Sequence, residues 1–258
     1  MENRYRIIIP AYNCGKWIRR CIWSVVNQNF LNNEYDGRYQ AVFLDDCSND
    51  NTFQVVQNTI QESGEHKLNW RFFRRNNNVG ALENIVYGIN SICFNDEDII
   101  ILLDGDDALF SNDVITYLDS VYQDPKIQMT YGQYQSESNG ALGCSRPLEV
   151  PSRDYRTMGH WRTSHLRTFK YKLWKRIQDV DLRDPNGKYF AMAWDMAIIY
   201  PLIEMAGNDR IKFIDKIMYL YNDTNPINDF KKNLRLQEST ARYIKSKKKY
   251  RMMTDDEI

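Results

Sequence analysis

The sequence is short of histidine, of cysteine pairs and of any excess charge. Its three histidines, His66, His160 and His165, are too few for a site of several imidazoles. A bound metal would therefore rest mostly on oxygen ligands, which suits magnesium or manganese. The five cysteines (Cys14, Cys21, Cys47, Cys93 and Cys144) include no CxxC and are odd in number. That excludes a zinc knuckle or a disulfide scaffold and fits a reducing compartment. Basic and acidic side chains balance at 34 each, so there is no basic excess for neutralising phosphates and no nucleic-acid partner is expected. No apolar run approaches the roughly 18 residues of a membrane span. The longest aliphatic stretch, Ile99 to Leu103, is bounded by Asp98 and Asp104. The chain enters an apolar strand directly after its first residues, leaving no room for a signal peptide. The expectation is a soluble, cytoplasmic protein without a transmembrane segment.

What is present is a core. Apolar residues make up 43% of the 258, too many for a disordered chain. The first 135 residues alternate strand and helix. Arg6 to Pro10 reads as a buried strand, Gly15 to Gln28 as a helix with Trp17, Ile18, Cys21, Ile22, Val25 and Val26 on one face, and Tyr39 to Leu44 as a second strand. Asn51 and Thr52 open a second helix. Trp70 to Phe73, Gly80 to Ile92 and Asp98 to Leu103 read as strand, helix and strand. A helix through Val114 to Tyr122 and a strand through Ile127 to Tyr131 follow. Such units imply a mainly parallel sheet with right-handed crossovers. Further on, Gln135 to Arg156 reads as a long loop, Thr163 to Ile177 as a basic, aromatic helix, and Trp194 to Ala206 as a helix containing Pro201. Ile211 to Ile214 and Ile217 to Tyr221 read as two short strands. Lys231 to Arg251 holds nine basic residues against Glu238.

Ligands of open α/β sheets bind beyond the carboxyl ends of the strands. Three strands here end in polar or acidic clusters: Pro10 to Asn13, Asp45 and Asp46, and Asp104 to Asp107. Packed carboxylates repel one another unless a cation sits among them. A cation in a sheet-rim pocket points to a nucleotide diphosphate.

These residues carry a resemblance. Ile7-Ile-Ile-Pro-Ala-Tyr-Asn13, Leu44-Asp-Asp-Cys-Ser-Asn-Asp-Asn-Thr52, Asn78-Val-Gly80 and Leu103-Asp-Gly-Asp-Asp107, in that order, resemble the family 2 glycosyltransferases. The match in spacing covers about residues 5–110. It extends more loosely to about residue 230 through Met192-Ala-Trp-Asp195 and Tyr221-Asn-Asp-Thr-Asn-Pro-Ile-Asn228. The resemblance implies an α/β fold: a single GT-A type domain, a Rossmann-like, mainly parallel sheet flanked by helices, with a helical C-terminal extension. Residues 1–230 would form the domain, 1–110 its nucleotide-binding half and 111–230 its acceptor half. Residues 231–258 would form a basic helical tail.

The resemblance also implies roles. Pro10, Ala11, Tyr12 and Asn13 would line a uracil pocket, with Asp46 accepting the base N3–H and Asn78 and Gly80 contacting the nucleotide. Asp104 would address the ribose, and Gly105 would let the backbone approach the sugar nucleotide. Asp106 would coordinate manganese or magnesium, with Asp107 as an alternative ligand and Asp45 structural. Asp195 would be the base that deprotonates the acceptor hydroxyl, with Asp179, Asp181 and Asp184 as rivals in a charged loop. The reaction would move a sugar from a UDP-sugar to a carbohydrate or protein acceptor, a collagen-like protein among the candidates, with inversion.

Two features depart from the family pattern. No histidine follows His165, and Phe230 stands where a late histidine is expected, so the metal would have few protein ligands. The segment from His160 to Phe169 is rich in polar and aromatic groups: Trp161 could stack on a sugar, His160 or His165 could enter the site, and Arg162 or Arg167 could reach the diphosphate. Competing readings are a haloacid-dehalogenase-like phosphatase, a sugar nucleotidyltransferase and a non-catalytic nucleotide-sugar-binding module. The basic tail reads as a solvated helix, an arm of a homodimer or a surface for an acidic partner. The high asparagine and lysine content fits an AT-rich genome, bacterial or viral, which would place the protein in a host cytoplasm or a virion.

Overall fold

The computed structural model describes residues 2–30, 37–64, 68–158, 161–226 and 234–257. His66, His160, Asn228, Phe230 and the expected boundary at residue 230 lie outside the described residues.

The chain folds around one eight-stranded sheet in the order β3-β2-β1-β4-β7-β6-β8-β5. Its first half is β1 (Arg4–Ala11), α1 (Ile18–Val26), β2 (Tyr39–Asp45), α2 (Thr52–Glu62), β3 (Asn69–Arg74), α3 (Ala81–Ile92) and β4 (Asp98–Leu102). These four strands pair in parallel, so the loops after β1, β2 and β4 leave from one edge. β1, β2 and β4 are buried along almost their whole length, as strands covered on both faces must be. Their side chains alternate between two cores. Ile7, Ile9, Ala41 and Ile99 face one with α1. Ile8, Val42, Leu44 and Ile100 face the other with α3. β3 is the exposed edge and carries Arg71 and Arg74, charges that guard an open edge against further pairing.

The second half is β5 (Ala108–Leu109), α4 (Val114–Tyr122), β6 (Met129–Ser136), β7 (Arg167–Lys170), α5 (Tyr171–Trp174), α6 (Trp194–Ala206), β8 (Ile211–Tyr221) and α7 (Leu234–Ser246). Here parallel and antiparallel pairings mix: β7 runs antiparallel to both β4 and β6, and β6 runs parallel to β8. The helix expected over Thr163 to Ile177 is instead strand β7 followed by the single turn α5. Local pattern favoured a helix, but the open edge of β4 needs a partner for its buried backbone groups. Residues 167–170 supply it, all four of them buried. The two short strands expected between Ile211 and Tyr221 are one strand, with register shifts near Gly132 and Gln133 of its neighbour β6. Pro201 sits inside α6 as expected.

The C-terminal tail is not merely solvated. Ile244 and Met253 are buried against the second core. Arg156 and Glu204, both almost fully buried, pair through two hydrogen bonds of 2.6 and 2.9 Å. Arg156 also donates to the carbonyls of Ile244 and Lys247, and Glu204 accepts from the Tyr250 N–H.

Candidate active site

Beyond the carboxyl ends of β1, β2 and β4 lies a cavity of about 540 Å³. Of the residues expected there, Pro10, Ala11, Tyr12, Asp46, Asn78, Gly80, Asp104, Gly105, Asp106 and Asp195 all line it. Asn13 does not. Its backbone adopts a positive φ of 48°, its N–H donates to the Ser48 hydroxyl, and its side-chain oxygen accepts from the Asn49 N–H. It ties the loop after β1 to the loop after β2 from behind the wall.

Asp46 is held by that wall. One of its carboxylate oxygens accepts from the Val79 N–H and the other from the Gly80 N–H, each at 2.8 Å. Gly80, at φ 91°, makes the turn into α3 that points both N–H groups back. An ionised carboxylate has about four acceptor directions, so each oxygen keeps one for a ligand. Asn78 donates to the Asp46 carbonyl. Asp45 is fully buried, accepts from the Ser48 N–H and pairs with Arg74 at 3.1 Å.

The three acids after β4 have different fates. Asp107 is buried. Its carboxylate accepts from the Tyr219 hydroxyl and the Asn222 N–H, each at 2.6 Å. Burial, then the charges of Asp106 and Asp104, push its pKa well above the ordinary carboxylate range. Asp107 therefore locks β8 to the rim and does not face the cavity. Asp106 accepts from the Asn225 side chain at 2.7 Å, and its carbonyl accepts from Arg20. Burial raises its pKa, although the Asn225 hydrogen bond opposes this. Asp104 places one oxygen 3.9 Å from His165 Nε2, while its N–H donates to the Tyr219 oxygen. Gly105 has a reason other than room for a ligand: a Cβ there would stand 2.7 Å from the Ala11 Cβ and 3.1 Å from the Pro10 carbonyl oxygen. The rim closes because the β4 loop lies directly on the end of β1.

The other wall comes from β7 and α6. Asp195 sits in the first turn of α6. One of its oxygens accepts from Arg167 at 3.0 Å and the other from the Met196 N–H at 2.9 Å. Arg167 is buried, bonds the Thr163 carbonyl and reaches the cavity. Ala193, just before α6, has a φ of 50°. A left-handed alanine carries strain that the surrounding structure must hold, and it turns the chain so that α6 begins at the cavity. His165 stacks on Tyr219 with ring centres 4.5 Å apart. Burial first, and then the Arg167 charge, hold its pKa well below the ordinary histidine value, so it presents a neutral ring.

Five other residues weighed for the site lie away from the cavity. Trp161 does not line the cavity: its ring packs against Tyr155, Tyr200 and the Arg167 guanidinium. Arg162 turns away to pair with Glu149. Asp179 pairs with Arg183, and Asp184 caps its own loop through the Asn186 and Lys188 N–H groups. Asp181 accepts from the Tyr250 hydroxyl. None of the three lines the cavity.

Sequence reasoning did not single out Cys14, Asn84, Trp194, Asn225, Leu236 or Gln237, all of which line the cavity. Asn225 was in sight as part of the Tyr221 to Asn228 segment. Leu236 and Gln237, in the first turn of α7, carried no local signal.

Residues 6–185 match the family model described as Glycosyl transferase family 2. The chain belongs to that family. It is 24% identical over 233 residues to glycosyltransferase GlyG of Streptococcus pneumoniae serotype 4, covering 86% of this chain and 71% of that protein. Among solved structures it resembles S. aureus TarS 1-349 in complex with UDP-GlcNAc, at 19% identity and a TM-score of 0.64, covering 89% of this chain and 61% of that one. It also resembles the mannosyltransferase PcManGT of Pyrobaculum calidifontis in complex with GDP-Man and Mn2+, at 16% identity and a TM-score of 0.63, covering 97% and 66%. The chain thus spans less than two thirds of either solved neighbour. These likenesses establish the GT-A fold. No helix among the described residues is long and apolar enough to cross a membrane.

Proposed function

We propose that this chain transfers a glycosyl group from a UDP-sugar to an acceptor hydroxyl of a carbohydrate or protein, with inversion at the anomeric carbon. One observation carries the reading. Asp104 and Asp106 at the end of β4 share a single cavity with Asp195 at the start of α6; on the segment entering β7, His165 stands 3.9 Å from Asp104 and Arg167, two residues on, bonds Asp195.

Tyr12, Asp46 and the Asn78–Gly80 turn receive the base, Asp46 through its remaining acceptor directions. Asp104 addresses the ribose. Asp195 takes the proton from the acceptor hydroxyl, and that oxygen attacks the anomeric carbon as the diphosphate leaves from the opposite face. Arg167 fixes the orientation of the Asp195 carboxylate and places positive charge beside the leaving group.

A divalent cation, manganese or magnesium, fits Asp106. This carboxylate is partly buried beside Asp104 and accepts a neutral amide donor, so a cation would offset its desolvation. Asp107 does not fit, because the Tyr219 hydroxyl and the Asn222 N–H occupy it. Among the described residues no three His, Cys, Asp or Glu side chains converge to cage a metal, so Asp106 would hold the ion together with ligand oxygens and water. Such an ion supplies neutralisation of charge on the diphosphate.

Calorimetry with UDP, GDP, UDP-GlcNAc, UDP-Glc and GDP-Man, with and without manganese, tests this. Uridine ligands should bind, and manganese should tighten them. Absence of binding by every nucleotide would reject the reading, and a product of retained anomeric configuration would reject the displacement.

A further inference from the structure

His165 and Asp104 face each other across a gap in the wall of the cavity. The imidazole Nε2 stands 3.9 Å from a carboxylate oxygen of Asp104, and both residues line the cavity. That distance is too long for a hydrogen bond. Among the described residues Nε2 has no hydrogen-bond partner, yet it is not sealed from water. The two side chains keep 15% and 30% of their surface exposed. A ligand atom can therefore reach both groups at once.

The gap is built into the fold. The His165 ring stacks on Tyr219, with 4.5 Å between centres, and meets the Tyr134 ring edge-on at 6.0 Å. The Tyr219 hydroxyl donates to the Asp107 carboxylate and accepts the Asp104 N–H. One tyrosine thus carries the imidazole on its face and holds the acidic loop by its hydroxyl, so neither side of the gap turns freely. Nδ1 lies 3.2 Å from the Ser164 hydroxyl. A hydroxyl that donates there leaves the imidazole proton on Nε2, facing the carboxylate.

The chemistry of the gap selects its occupant. One side donates and the other accepts. A hydroxyl satisfies both, and its oxygen, about 2.8 Å from each, spans the gap at roughly a right angle. A phosphate oxygen only accepts, and it meets the charge of Asp104. An octahedral cation with bonds of about 2.1 Å sets two ligands about 3.0 Å apart side by side or about 4.2 Å apart in line, and the gap matches neither. The place of the gap narrows the choice of hydroxyl. Tyr12 and Asp46 stand at the base end of the cavity and Asp195 at the reacting end. Gly105, next to Asp104, lies against Pro10 and Ala11 at the base end, and the sugar joined to the base is ribose. We infer that His165 and Asp104 together hold one hydroxyl of the nucleotide ribose, so that the site selects ribonucleotides over deoxyribonucleotides. The inference rests on the transferase reading given above, in which Asp104 alone meets the ribose.

The experiment is calorimetry on the full chain with manganese, using the tighter binder of UDP and GDP and its own 2′-deoxy and 3′-deoxy forms. The wild type should lose about tenfold or more for one of the two deoxy forms, because the missing hydroxyl leaves a donor and a charged acceptor unmatched. His165→Phe keeps a ring on Tyr219 and removes the donor. It should weaken the ribonucleotide and shrink that preference by about fivefold, the typical effect of one hydrogen bond. His165→Gln returns an N–H to the gap and should restore the preference. Equal binding of the ribonucleotide and both deoxy forms by the wild type would overturn the inference. So would a His165→Phe variant that loses the same factor for all three, the mark of a structural role. A His165→Phe loss seen with UDP-GlcNAc or GDP-Man but not with the bare diphosphate would overturn it as well and move the hydroxyl to the transferred sugar. A wild-type protein that binds neither UDP nor GDP would remove the transferase reading itself, and this inference with it.

Discussion

Arg167 and Asp195 meet at 3.0 Å, one from a strand in the middle of the sheet and the other from the first turn of a helix. The guanidinium is buried, and the carboxylate also accepts the Met196 N–H. A carboxylate with both oxygens engaged keeps one orientation, and a base that must meet a hydroxyl gains from that.

Asp195→Asn should bind UDP as the wild type does and lose turnover by about 10²–10⁴-fold, the usual contribution of a general base. Arg167→Met leaves the carboxylate in place but unoriented and should lower turnover by about tenfold or more. Rates of UDP release and equilibrium UDP affinity, measured side by side, check both. Normal turnover in Asp195→Asn would move the base elsewhere.

Asp106 and Asp107 are neighbours with opposite duties. Asp106→Ala should abolish the effect of manganese on UDP affinity. Asp107→Asn should leave that effect intact. It should lower stability by about 1–3 kcal/mol, because an amide cannot accept from both the Tyr219 hydroxyl and the Asn222 N–H as the carboxylate does. Manganese titrations of UDP binding together with urea denaturation separate the two. A manganese effect that survives Asp106→Ala would shift the ion toward Asp104.

Gly105→Ala puts a methyl group 2.7 Å from the Ala11 Cβ. The end of β1 or the acidic loop must then move. Overpacking of this kind costs about 1–3 kcal/mol, and the displaced rim should weaken UDP binding as well. A thermal melt and one binding isotherm suffice. An unchanged melting temperature would show that the rim yields without strain.

His165 sets a pH dependence of stability whose sign follows from its surroundings. Burial and the Arg167 charge hold its pKa well below 6.5, so in the window between its folded value and about 6.5 the unfolded chain binds the extra proton. This contribution to stability is complete above about pH 6.5 and is lost as pH falls toward the folded value. His165→Phe keeps a ring to stack on Tyr219 and removes the proton site. Its urea midpoint should fall less between pH 7 and pH 5 than that of the wild type. Parallel curves for the two proteins would refute this.

Much of the nucleotide half was legible in the sequence. Ile7 to Ala11, Tyr39 to Asp45 and Asp98 to Leu102 are continuous apolar runs closed by polar clusters, and such runs form strands between two helical layers whatever else the chain does. Because parallel strands point their ends the same way, Tyr12, Asp46 and Asp104 had to share an edge. Asp195 was singled out through the resemblance, on Met192-Ala-Trp-Asp195, because an acid at the start of a helix has an ordinary structural reading as well. The acceptor half was harder to read. The stretch from Thr163 to Ile177 has a helical pattern, yet residues 167–170 are drawn into the sheet by the open edge of β4.

The sequence by itself determined that acids gather at the ends of buried strands, because alternation, apolar runs and chain breakers act over a few residues. Only the tertiary structure decided which of those acids serve the cavity. Tyr219 and Asn222, more than a hundred residues away, remove Asp107 from it. Ala11 requires the glycine at position 105, and the buried Arg156–Glu204 pair holds the far end of α7. Each of these depends on groups far apart along the chain meeting in space, and no local pattern records such a meeting.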